Sequence, residues 1–140
     1  MATRAWGEGY RTTTVCVDSY QNGVLNGRFY NPYLEGGQSF QSLIQFLLGM
    51  EQVLDTMDFP KSFTATRTFA APPVQLVEAA QGEYRMGDLA TFTVRILFRQ
   101  NASWQGSVTW LEGRQEQSFR SVLELILLLD NALQQADAAE

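Results

Sequence analysis

Residues 91–110 read TFTVRILFRQNASWQGSVTW, and large apolar side chains alternate with polar ones along two runs in this stretch. A period of two is typical of half-buried β-strands, so we predict a hairpin. A three-residue loop at 100–102 puts Phe92 opposite Trp110, Val94 opposite Val108 and Phe98 opposite Trp104. This loop gives the hairpin one consistent apolar face, and register follows from that face.

The same pattern occurs 79 positions earlier, so that residues 12–57 match residues 91–136. Two copies of a long repeat predict a pseudo-symmetric domain rather than a solenoid, which needs three or more units. A loop at 21–23 in the earlier copy pairs Val15 with Phe29, and Gly23 then lies where a hairpin needs a left-handed residue. The identical pairs include Thr14/Thr93, Val15/Val94, Gly27/Gly106, Phe40/Phe119, Ser42/Ser121 and Leu48/Leu127.

Each hairpin leads into a segment with helical periodicity. We predict helices over roughly 39–57 and 118–136, with Ser39 and Ser118 as N-caps. Proline disfavours a helical residue before it, so Pro60 ends the first helix. The predicted core-facing stripes are Phe40, Leu43, Ile44, Leu47 and Leu54 in the first helix and Phe119, Val122, Leu123, Ile126 and Leu133 in the second.

Glycines at matched positions need an explanation, because a glycine weakens a strand. At Gly27 and Gly106 there are two alternatives: a helix passes closely over each glycine, or the strand bulges or bends there. In the helices, Gly49 matches Leu128, and we predict that the helices pack side by side with Leu128 over Gly49.

Residues 60–87 contain fewer patterns that predict secondary structure. Ser62–Phe69 alternates and is predicted to be a strand, and Val74–Ala80 is either a short strand or a helical turn. The predicted fold is therefore one α+β domain over residues 1–140. It consists of two ββα units (10–59 and 88–137) joined by a linking strand and connector (60–87). We expect a mostly antiparallel sheet, two helices on one face and a pseudo-twofold axis.

Composition excludes several kinds of chemistry. The chain has 140 residues, a net charge of −5, no histidine and one cysteine. A histidine-dependent triad, an intrachain disulfide and a structural zinc site are therefore impossible, and an acidic chain is a poor general polyanion binder. The first nine residues do not resemble a secretory signal and no apolar run is long enough to span a membrane, so we expect a cytoplasmic protein without membrane contact.

Candidate catalytic residues are few. Cys16 is expected to be exposed but has no histidine to activate it. Glu35 and Glu112 match each other in a short segment where the offset is 77 rather than 79. Both lie at predicted strand-to-helix junctions, where acidic residues usually interact with the helix N-terminus. Asp18 and Asp55 join these two glutamates as possible metal ligands, but their spacing matches no known site. We expect no enzyme activity, cofactor or metal.

The helices offer the better functional signal. Leu48 and Leu127 interrupt the polar side of each helix at the same place, which makes them candidate interface residues. We expect a non-enzymatic protein-interaction or regulatory module that binds a protein partner or itself as a homodimer. The alternative is binding of a small ligand or single-stranded nucleic acid, through the groove between the halves or through the outer sheet face. The outer-face candidates are Arg28, Tyr30, Arg95 and Arg99.

Overall fold

A computed structural model describes residues 8–60, 77–78, 86–100 and 103–138. The predicted strand over Ser62–Phe69 lies outside these residues. After a 3-10 turn at Glu8–Arg11, the strands are β1 (Thr12–Gln21), β2 (Val24–Tyr30), β3 (Gln38–Phe40), β4 (Val77–Glu78), β5 (Ala90–Gln100), β6 (Ser103–Trp110) and β7 (Gln115–Phe119). The helices are α1 (Leu43–Met57) and α2 (Val122–Ala138).

The strands form one antiparallel sheet in the order β4-β3-β2-β1-β5-β6-β7. The prediction of an α+β fold with an antiparallel sheet and two helices is confirmed. The ββα order is wrong, because a third strand precedes each helix. Ser39 lies in β3 and Ser118 in β7, so neither serine is an N-cap. Both strands are short and rich in polar residues, so they lack an alternating apolar signal.

Both helices cover the same face of the sheet. Val15 of β1 lies opposite Phe29 of β2 and Phe92 of β5, and residues directly opposite one another share a face. Phe29 packs edge-on against Phe46 of α1 at 6.2 Å between ring centroids. Phe92 lines a cavity with Leu128 of α2. A single core of buried apolar side chains therefore lies between the sheet and the two helices.

A bulge changes the predicted register in each hairpin. Phe92 pairs with Trp110 and Val94 with Val108 as predicted, but the register shifts between Ile96 and Phe98. Arg99 then lies opposite Trp104, so the predicted pairing of Phe98 with Trp104 is wrong. An extra residue in one strand reverses the faces of the residues after it. Phe98 is consequently 54% exposed, whereas Arg99 is 2% exposed on the helix side.

The first hairpin bulges at the matching place, between Val17 and Ser19. Val15 pairs with Phe29 as predicted. Gln21 pairs with Val24, so the connection is a two-residue Asn22-Gly23 turn instead of the predicted three-residue loop. Both turn residues have positive φ, at 54° and 76°, as a type I′ hairpin turn requires.

The strand glycines accommodate these bulges. A Cβ on Gly27 would overlap the carbonyl oxygen of Cys16 and lie 3.0 Å from the Cα of Val17. A Cβ on Gly106 would overlap the carbonyl oxygen of Arg95 in the same way. Of the two alternatives, the close approach of a helix is wrong, because the obstructing atoms belong to the neighbouring bulged strand.

Candidate interaction surface

The start of each helix is fixed by a serine and an amide or carboxylate three residues later. Ser42 Oγ accepts a hydrogen bond from the Gln45 N–H at 3.1 Å, and Ser121 Oγ accepts one from the Glu124 N–H at 3.1 Å. The side chains of Gln45 and Glu124 in turn accept hydrogen bonds from the backbone N–H groups of residues 41 and 120. This arrangement resembles a capping box, which satisfies N–H groups that have no partner within the helix.

The buried side chains show which side of each helix faces the sheet. Phe46 is fully buried, with its ring centroid 5.1 Å from that of Phe40, and Leu125 is fully buried at the matching position of α2. Because side chains two positions apart point to different sides of a helix, the residues two before and two after them face solvent. The exposed fractions are 67% for Ile44, 44% for Leu48, 65% for Leu123 and 59% for Leu127.

We call Ile44, Leu48, Leu123 and Leu127 the helix-face patch. Leu48 and Leu127 are exposed as the sequence indicated, but the prediction that Ile44 and Leu123 face the core is wrong. Sequence reasoning therefore missed two members of the patch. The sequence spacing could have identified them, because the residues of each exposed pair are four positions apart and the two pairs are 79 positions apart.

The start of α1 approaches α2. Leu43 of α1 lines one cavity with Ile126, Leu129 and Leu133 of α2. The prediction that Leu128 lies over Gly49 is wrong, because Leu128 points away from α1. It lines a cavity with Phe92 of β5 and with Val108 and Trp110 of β6. The patch therefore extends over two adjacent helices.

Each helix is also joined to the long strand of the other half. Tyr20 of β1 donates a hydrogen bond to Asp130 of α2 at 2.6 Å. Arg99 of β5 donates to Glu51 and Asp55 of α1 at 2.8 and 2.6 Å. Tyr20 and Arg99 reach the helix side because each follows the bulge in its strand. The hydrogen bond to Asp130 raises the pKa of the Tyr20 phenol, as burial and the negative charge also do.

The ionisable residues of the helices are all acidic, and they include Glu51 and Asp130 in the middle of α1 and α2. Neither α1 nor α2 contains a lysine or arginine. Glu124 at the start of α2 lies 3.6 Å from Arg120, and Glu51 and Asp55 are paired with Arg99. The acidic residues one turn from the patch each have a partner, because Glu51 is bonded to Arg99, Glu124 lies near Arg120 and Asp130 accepts a hydrogen bond from Tyr20.

Of the four outer-face candidates, the structure brings Arg28 and Tyr30 together but not Arg95 and Arg99. Arg28 is 9% exposed and forms a 2.8 Å ion pair with Asp18, and it donates to the Tyr30 hydroxyl at 3.1 Å. Burial lowers the pKa of Arg28, but the hydrogen bonds to Asp18 and Tyr30 outweigh burial and raise it overall. Arg95 is exposed on β5, whereas Arg99 lies on the opposite face of the sheet.

The candidate catalytic groups are also separate. Cys16 is fully buried, contrary to the expectation of an exposed thiol, and lies opposite the buried residues Arg28 and Thr91. Glu112 accepts a hydrogen bond from the Thr91 N–H at 2.7 Å, and Glu35 is exposed in the segment between β2 and β3. Both glutamates therefore precede a strand rather than a helix. Within the described residues, no three acidic or cysteine side chains are close enough to hold a metal ion.

Comparison with protein-family models, with curated proteins and with solved structures finds no match to this chain. None of the helices described is both long and apolar enough to cross a bilayer.

Proposed function

We propose that this protein is a small, non-enzymatic interaction module whose binding surface is the helix-face patch. The observation that carries the proposal is the exposure of four large aliphatic side chains on two adjacent helices, at positions that match between the halves. Single exposed leucines are common on protein surfaces, whereas a contiguous group is typical of a contact site. Full burial of an exposed aliphatic side chain contributes roughly 1.5–3 kcal/mol, and these four side chains, which are 44–67% exposed, can each contribute about half of that.

We also propose that the halves arose by internal duplication and are related by a pseudo-twofold axis between Thr14 and Thr93. The register of β1 against β5 supports this proposal. Thr12 lies opposite Arg95, which matches Cys16 in the repeat, and Cys16 lies opposite Thr91, which matches Thr12. Exchanging the halves therefore leaves the pairing unchanged, with Thr14 opposite Thr93 at the centre.

The cross-connections between strands and helices follow the same relation. Tyr20 matches Arg99 in the repeat, and Glu51 matches Asp130. Tyr20 bonds to Asp130, and Arg99 bonds to Glu51, so each strand holds the helix of the other half. These two connections join α1 and α2 through the sheet, which favours a patch that binds as one rigid surface.

The alternative functions have less support from the geometry. A nucleic-acid surface would need cationic and aromatic side chains on one face. Here Arg28 is paired with Asp18, and Arg99 faces the helices. An enzyme that uses Cys16 would need an accessible thiolate, whereas this cysteine is fully buried.

Site-specific photo-crosslinking in the native host tests the proposal. A photoreactive phenylalanine analogue is placed at position 48 or 127, and matched controls carry it at position 98 or 24, where Phe98 and Val24 are 54% and 53% exposed outside the patch. We expect discrete adducts from positions 48 and 127 and none from 98 and 24. Equal yields at all four positions, or no adduct from the patch, would contradict the proposal.

A further inference from the structure

We infer that the partner of the helix-face patch is a second copy of this chain, bound patch to patch in a symmetric dimer. This inference rests on the interaction function proposed above and names the partner of the same surface. Three features support it: the occurrence of the patch in both halves, the size of the patch and its charge.

The first feature is the matched exposure of the two halves. Ile44 and Leu123 are 67% and 65% exposed, and Leu48 and Leu127 are 44% and 59% exposed. In a symmetric dimer the same patch serves both partners, so a contact from one residue is repeated by its counterpart. If the axis of the dimer is perpendicular to the pseudo-twofold axis and crosses it, the apolar pair of each helix packs against an equivalent pair of the second copy. A second copy would contact the apolar pairs of both helices, whereas a small asymmetric partner would need to contact only one pair.

The second feature is area. The four side chains expose on the order of 400 Å² of apolar surface, which is within the range of the largest patches on monomers. A stable dimer buries about 800 Å² on each partner. The half-buried side chains of Leu47 and Ile126 and the exposed amides of Gln45 and Asn131 lie beside the patch and would contribute to the remainder. This balance favours a weak, reversible dimer rather than a permanent one.

The third feature is charge. Residues 43–50 and 122–129 contain one ionisable group, Glu124, and Arg120 lies 3.6 Å from it. Two such surfaces can meet without like charges at the centre, where repulsion would oppose association. The absence of lysine and arginine from both helices disfavours an anionic lipid surface or a nucleic acid as the occupant. Asp55 and Asp137 lie in the C-terminal parts of the helices, and Glu51 and Asp130, one turn beyond Leu48 and Leu127, are bonded to Arg99 and Tyr20 of the sheet.

Sedimentation equilibrium of the full chain, from about 1 µM to about 300 µM, tests this inference. We expect a reversible monomer–dimer equilibrium for the unmodified protein. Leu48→Glu and Leu127→Glu should each raise the Kd at least about tenfold, because each buries a charge at the contact. Phe98→Glu, at an equally exposed position outside the patch, should change the Kd of the dimer less than about twofold. Leu48→Gln and Leu127→Gln provide a milder pair, and circular dichroism establishes that each variant is folded.

The possible outcomes separate this inference from the proposed function. A monomer throughout the concentration range overturns the inference, as does a dimer that Leu48→Glu and Leu127→Glu do not weaken. If the chain is a monomer and position 48 still yields a crosslinked adduct to a chain of different mass, the partner is another protein and the interaction function stands. If the chain is a monomer and the patch yields no adduct, both proposals fail.

Discussion

Replacement of Gly27 or Gly106 by alanine tests the structural basis of both hairpins. Each glycine lies opposite the residue just before the bulge of the neighbouring strand. A Cβ on Gly27 would overlap the Cys16 carbonyl oxygen and lie 3.0 Å from the Cα of Val17. A Cβ on Gly106 would overlap the Arg95 carbonyl oxygen and lie 3.2 Å from the Cα of Ile96. The obstacles are backbone atoms, so rotation of a side chain cannot relieve the overlap.

The expected loss of stability follows from these contacts. Overpacking a well-filled site costs about 1–3 kcal/mol, and displacing the strand would also weaken at least one ladder hydrogen bond by about 1 kcal/mol. Alanine also restricts the unfolded chain more than glycine does, which offsets about 0.4–1 kcal/mol of this loss of stability. The free energy of unfolding should therefore fall by about 2–3 kcal/mol in each variant. For a chain of this length, that loss lowers Tm by about 10 °C.

Urea unfolding followed by circular dichroism measures the effect. Gly36→Ala is the matched control, because a Cβ there meets nothing within 4 Å and its φ is not positive. Its free energy of unfolding should stay within about 0.5 kcal/mol of that of the unmodified protein. If Gly27→Ala and Gly106→Ala are as stable as Gly36→Ala, the tight approach of the bulged strands is wrong, and the reasoning about both hairpins is wrong with it.

Three further predictions concern the connections that hold the helices. Arg99→Met should lower the free energy of unfolding by about 2–4 kcal/mol, because it removes a buried cation paired with two carboxylates; Arg95→Met, at an exposed position, should have little effect in the same urea titration. Ser42→Ala and Ser121→Ala should each cost about 1 kcal/mol in thermal unfolding, because both serines cap a helix; Ser118→Ala, at an exposed position in β7, should cost less than half of that. The raised pKa of Tyr20 means that the unfolded chain loses this proton at lower pH than the folded protein, so its contribution is complete below about pH 10 and is lost as the pH rises through the folded pKa. The stability difference between the unmodified protein and Tyr20→Phe should therefore shrink from pH 9 to pH 11, and a constant difference would contradict the bond to Asp130.

The first part of each strand pairing could be predicted from sequence, because the apolar residues alternate without interruption up to Val17 and Ile96. The rest could not, because a bulge moves Arg99 to the helix side and Phe98 to the solvent side. Apolar residues continue to alternate through Phe98 in the sequence. A pairing chosen to put all of them on one face therefore has the wrong register after Ile96. The signal that marks the bulge is the glycine opposite each one, whose role could not be assigned from sequence alone.

The rotation of each helix about its own axis could not be predicted from the sequence either. Residues 43–50 are apolar except for Gln45, so the helical pattern does not distinguish the side that carries Phe46 from the side that carries Ile44. The orientation is set by tertiary packing of Phe46 on Phe29 and Phe40 and by a cap at Ser42 rather than Ser39. For this reason the sequence pattern indicates that Leu48 and Leu127 are exposed but places their neighbours Ile44 and Leu123 in the core.

The central claim is that two adjacent helices present one apolar face to a second copy of the chain. Isotope-filtered NMR on an equal mixture of isotope-labelled and unlabelled protein tests this claim most directly, because it detects only contacts between chains. The claim predicts intermolecular contacts from the methyl groups of Ile44, Leu48, Leu123 and Leu127. Their absence at concentrations of several hundred micromolar, or intermolecular contacts from Phe98 and Val24 in their place, would contradict it.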